Sequence, residues 1–125
     1  MPWKGGALPT TPAAAVVSAT RTEIQRVRDL PGILVRGLRL RAGWADNPGS
    51  IGVQLSLDLR RRTSWSISAW ATRDDLERFV RSAHHRRAVA PYRARVRVSA
   101  ARWEVDAFER NAAWAEARRR LAPRP

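Results

Sequence analysis

The chain has no cysteine. That excludes a disulfide framework, a thiolate nucleophile and any cysteine-held zinc or iron–sulfur centre. Histidine is nearly as scarce: His84 and His85 are the only two, and they are adjacent. No Ser-His-Asp spacing, paired-carboxylate motif, glycine-rich phosphate loop or metal-ligand cluster is present, and no flavin or nicotinamide fingerprint. No apolar run approaches the roughly 18–20 residues of a membrane span. The N-terminal MPWKGGALPTTPAAAVVSA lacks the apolar core of a signal peptide, so a cytoplasmic protein without a membrane association is expected. Lysine is almost absent as well. Lys4 is the only one, the remaining basic residues being arginine among 24 Lys+Arg against 11 Asp+Glu.

What is present is therefore a net charge of +13 carried by arginine. Such a balance raises the question of nucleic acid. The arginines are scattered rather than gathered on one stripe, and the Arg-for-Lys skew with abundant alanine reads as GC-rich coding. A basic surface that attracts anionic substrates or partners is the better expectation. At 125 residues the chain is long enough for one domain with a real core.

Residues 1–18 are rich in Gly, Pro, Ala and Thr and read as a flexible arm. A strand is expected over residues 19–28. Asp29 then caps a helix that carries Pro31 in its first turn. Leu30, Ile33, Leu34, Gly37 and Leu38 give that helix an apolar face, continued by Trp44. Residues 51–59, IGVQLSLDL, alternate cleanly. So do residues 64–71, with Trp65, Ile67 and Ala69 opposite Ser64, Ser66, Ser68 and Trp70. RRRT between them is the turn of an antiparallel hairpin. Thr72 with Asp75 resembles a capping box, followed by the stripe Leu76, Phe79, Val80 and Ala83. Pro91 breaks the chain. Residues 96–106 form a strand whose apolar phase shifts between Val98 and Ala101, which suggests a bulge. Residues 111–121 form a helix with Trp114, Ala117 and Leu121 on one side.

From residue 19 to 106 the order is β-α-β-β-α-β, the split-βαβ, ferredoxin-like arrangement of the α+β class. It comprises two helices on a four-stranded antiparallel sheet, with an extra C-terminal helix in residues 107–125. The helices are expected to cover Ile51, Val53, Leu55, Leu57 and Leu59 together with Trp65, Ile67 and Ala69. The other face, with Gln54, Ser56, Asp58, Ser66, Ser68 and Trp70, is then left to solvent or to a partner.

The stretch SWSISAWATRDDLERFVRSAHH, the strand ending ARWEV and the strand entry NPGSIGVQL resemble the dimeric α+β barrel superfamily, in particular its antibiotic-biosynthesis-monooxygenase-like and spheroidene-monooxygenase-like members. The residues that carry the likeness are Ser68, Trp70, Phe79, His85 or its neighbour His84, Arg102 and Trp103. The resemblance spans residues 19–106. It implies a homodimer whose sheets pack into a barrel, and a pocket in each subunit. It further implies small-molecule chemistry of specialised metabolism: oxygenation of a hydrophobic or aromatic substrate, either cofactor-free or with haem. A non-catalytic ligand-binding or regulatory module on the same fold is the alternative, since fold alone does not fix function.

The candidate site follows. His85 would be general base or haem ligand, because adjacent helical residues point about 100° apart and only one of the two histidines can enter a pocket. Arg81 or Arg102 would stabilise an anionic enolate or phenolate. Asp58 would orient a substrate or the histidine, or pair with Arg60. Ser68, Trp65, Trp70 and Trp103 would line the substrate pocket, Trp70 being its foremost wall.

Overall fold

In the computed structural model the described residues are 2–8, 14–82, 85–87, 90–92 and 94–122. The expected order is present, with additions. The strands are β1 (Lys4–Gly5), β2 (Ala15–Ile24), β3 (Ser50–Asp58), β4 (Thr63–Trp70) and β5 (Val96–Val105). The helices are α1 (Leu30–Ala42), α2 (Arg73–Arg81) and α3 (Arg110–Leu121). All pairings are antiparallel, in the order β1-β3-β4-β2-β5. Without β1 this is the ferredoxin-like order, so the fold class is α+β as expected. β1, from the expected arm, adds a fifth strand by pairing with β3.

Local chemistry sets the element ends. Thr72 accepts the Asp75 amide at 3.1 Å, which fixes the start of α2. Glu109 does the same for α3, accepting the Asn111 and Ala112 amides at 3.0 and 2.6 Å. Asp29 precedes α1 without a side-chain cap. Its carboxylate instead accepts from Arg95 at 3.3 Å and ties α1 to the start of β5. Gly49 adopts φ +76° in the turn before β3, a conformation that favours glycine.

Three expectations change. First, both faces of the sheet are covered. α1 and α2 lie on one side; α3, Trp3 and Phe108 lie on the other. Gly52 permits the second arrangement, because a Cβ there would meet the Trp3 indole at 2.3 Å. Second, the hairpin phase is opposite to that expected. Val53 pairs with Ser68 and Leu55 with Ser66, whereas Gln54 pairs with Ile67 and Ser56 with Trp65. Paired residues share a face, so Ser66, Ser68 and Trp70 lie under α1 and α2, while Trp65, Ile67 and Ala69 lie under α3 and the arm. A bulge between Ser50 and Gly52 also turns Ile51 away from Val53. Third, β5 has no bulge. It runs in unbroken register against β2 from Val105 to Val96. Its apolar phase changes because its two halves are covered from opposite sides: Val96 and Val98 face the α1 side, and Trp103 and Val105 the α3 side.

Candidate functional site

A cavity of about 590 Å³ lies between the sheet and the two helices α1 and α2. Its floor comes from alternate residues of four strands: Val53 and Leu55 of β3, Ser66 and Ser68 of β4, Ser18, Thr20 and Thr22 of β2, and Val96, Val98, Ala100 and Arg102 of β5. Pairing aligns these hydroxyls in rows, Ser18 beside Ser68 and Thr20 beside Ser66. The roof is the Ile33, Gly37 and Leu40 side of α1, flanked by Arg36 and Arg41. No α1 residue is fully buried, because the helix roofs a hollow rather than a packed core.

One end is closed by aromatic rings. Trp44 lies 5.3 Å from Trp70 and 4.9 Å from Phe79, and Trp70 lies 5.2 Å from Phe79. His85 meets the Phe79 ring edge-on at 4.9 Å. Trp44, Phe79 and His85 face the cavity. Trp70 stands behind them, fully buried, and donates through Nε1 to Ser68 Oγ at 3.0 Å. Its place in the fold is thus to hold the aromatic wall.

The proposed site residues divide accordingly. The structure brings His85, Ser68 and Arg102 to the cavity, with Trp70 backing it. Arg102 Nη1 donates to the Glu77 carboxylate of α2, which clamps β5 to that helix and neutralises this guanidinium. Arg81 is exposed at the end of α2, outside the lining. Trp65 and Trp103 pack on the opposite face with α3, where Trp114 donates to Gln54 at 2.7 Å. Their strand parity puts them there. Asp58 accepts the Arg61 amide at 3.1 Å and so serves the hairpin turn; its ion partner is Arg61 and not Arg60. His84 and Ala83 lie outside the described residues.

Sequence reading missed Ser18, Thr20, Thr22, Arg36, Arg41, Trp44 and Tyr92 as cavity residues. The signal for the hydroxyls was in SATRT: its polar positions share the phase of Ser66 and Ser68 once β2 and β4 are paired. Arg36 and Arg41 carry no local mark, since arginines occur throughout the chain. Among the described residues no group of three or more His, Asp or Glu could hold a metal. No helix there is long and apolar enough to cross a membrane.

No family model and no curated protein matches this chain. Solved structures do, by shape. The class they share with it is the ferredoxin-like α+β fold. SnoaB from Streptomyces nogalater, described as a cofactor-independent oxygenase, superposes with TM-score 0.62 at 16% identity, over 73% of this chain and 92% of its own. An antibiotic biosynthesis monooxygenase gives 0.59 at 17% identity, over 74% and 99%. A dimeric ferredoxin-like protein from Jannaschia sp. CCS1 gives 0.65 at 14% identity, over 73% and 99%. At these identities the likeness concerns the fold.

Proposed function

We propose that this chain is a small-molecule enzyme, monooxygenase-like, that takes a hydrophobic or aromatic substrate into the cavity under α1 without flavin or nicotinamide. The observation that carries this reading is the hollow itself. A wall of Trp44 and Phe79 borders a floor with rows of hydroxyls, as in sites that bury most of a ligand and orient it with few polar groups. His85 supplies an imidazole to the lining, the side chain used most often as a general base. As general base it would remove a proton from an activated CH₂ flanked by aromatic rings. The carbanion would react with O₂, one oxygen staying as the new carbonyl and the other leaving as water. That balances without an external reductant. Asp58, Trp65 and Trp103 take no part, given their positions.

Haem is the other form of this proposal. If haem were bound, the His85 imidazole at the cavity wall would hold it, and the group would supply redox chemistry. The chain's own residues would still bind and orient the substrate. Specialised metabolism, antibiotic biosynthesis included, and a cytoplasmic location belong to the same reading.

The test is His85→Ala assayed against polycyclic aromatic substrates with an activated CH₂. Loss of a general base should lower kcat roughly 10²–10⁴-fold. A Soret band on haem addition, lost in the variant, selects the haem form. Wild type that binds such compounds without turnover would select the non-catalytic binding module. That alternative is favoured by a lining in which, among the described residues, no carboxylate accompanies His85.

A homodimer is part of the proposal. With one sheet face taken by α3, the long edge of β5, which carries Val98 at 56% exposure, is the surface a second copy would cover. A monomeric mass by light scattering at micromolar concentration would remove it.

A further inference from the structure

We propose that the cavity selects an aromatic anion, such as a carboxylate, and that α1 supplies the recognition through Arg36 and Arg41. This rests on the cavity being a ligand site, as argued above, and names the charge of its ligand. Among the described residues the lining contains three arginines and no aspartate or glutamate. Only Arg102 is matched, by Glu77. Among the described residues Arg36 and Arg41 have no carboxylate partner. Arg36 donates to the Arg87 carbonyl at 3.0 Å and stacks 5.5 Å over Tyr92. Arg41 donates to the Pro2 carbonyl at 3.0 Å, and its Nε is buried with no acceptor.

Each guanidinium thus spends one bond on a neutral carbonyl and keeps its full charge beside a low-dielectric wall. There an anion is attracted more strongly than in water. The carbonyl anchors and the Tyr92 ring hold the two side chains in place before any ligand arrives, so less freedom is lost on binding. The apolar wall excludes small inorganic anions from the gain that an aromatic ring obtains. The selected ligand therefore carries both features: a ring system and a negative charge. Net protein charge does not account for this, because charge spread over the surface attracts every anion alike.

The experiment uses the full chain and two isosteric probes, anthracene-2-carboxylate and 2-(hydroxymethyl)anthracene, with Kd read from quenching of tryptophan fluorescence at 0.15 M salt. The expected result is a carboxylate preference of about tenfold or more, the order of a charge-assisted contact. Arg36→Gln with Arg41→Gln should reduce the preference to near unity, the carboxylate losing about tenfold more affinity than the neutral probe. Each single variant should reduce it in part, which keeps the test intact if the double variant does not fold. Arg36→Lys with Arg41→Lys should restore much of it. Equal binding of the two probes to wild type would overturn the charge inference and leave the site. Binding of neither would overturn both. An equal loss of preference in Arg60→Gln with Arg118→Gln, exposed residues off the cavity, would show a diffuse charge effect and overturn the assignment to α1.

Discussion

The two faces of the sheet are made by the same strands and packed by different rules. Towards α3, Val17, Ala19, Ile67 and Ala69 are wholly buried, and the helix answers with Ala113, Ala117 and Leu121. Towards α1, the intervening residues of β2 and β4 are Ser18, Thr20, Ser66 and Ser68, and the helix above them buries nothing completely. A packed core of this kind reaches crystal-like density, and a hollow of about 590 Å³ forgoes those contacts. The contrast shows a division of labour within one sheet. One face with the aromatic end wall holds the fold, and the other encloses a hollow. Small alanines on α3 let that helix sit close, whereas α1 must stand off over a floor it does not fill.

The largest effect should come from truncation on the packed face. Ile67 is fully buried beneath α3, so Ile67→Ala should cost about 2–5 kcal/mol of stability, the range for buried aliphatic truncations. On the other face of the hairpin, Leu55 is half-buried and already borders a cavity. Leu55→Ala should cost about 1 kcal/mol, because little contact is lost and a void is enlarged rather than created. Urea denaturation of the two variants measures the contrast directly. Equal losses would mean that the α1 side is packed as tightly as the α3 side. His85→Ala and the paired arginine variants probe the open side by function instead, and should leave the denaturation midpoint near that of wild type.

Much of this was legible in the sequence. Local signals were strong wherever a cap or an alternation marked an element: Thr72 with Asp75, the IGVQLSLDL alternation, the run of Asp29 into Pro31. The order of elements followed, and with it the fold class. The covering of the faces did not follow from alternation alone, because two alternating strands can be joined in either phase. The observed loop of four residues, Leu59–Arg62, pairs odd positions of β3 with even positions of β4. A four-residue turn in RRRT has the same parity, so counting through the turn would have placed Val53 opposite Trp70, on the face of Ser66 and Ser68. The bulge at Ile51 and the docking of Trp3 on Gly52 were beyond such counting. Both depend on contacts between segments far apart in sequence. Ser68, Trp70 and His85 do lie near one another, on the helix-covered face rather than on the uncovered one expected for Ser68 and Trp70.

The smallest effect concerns ion pairs within α3 itself. Glu116 accepts from Arg119 Nε at 3.1 Å and Arg120 Nε at 2.6 Å. The hydrogen bond with Arg119, then that with Arg120, draws the Glu116 carboxyl from its ordinary 4.5 down to about 2. A carboxylate whose folded value is depressed stabilises the fold above its unfolded value and loses that contribution as pH falls through the folded one. The pair is solvent-exposed, so the contribution is small. Glu116→Gln should therefore lower the urea midpoint slightly at pH 6, and the gap to wild type should close between pH 4.5 and pH 2. It should also shrink in high salt, which screens exposed pairs. A gap unchanged from pH 6 to pH 2 would mean that Glu116 acts by packing against Ala112 and Arg120 at the edge of the α3 face. The buried alanines would then share their role with the rim, and the contrast between the two faces would reach further out along the helix than its core.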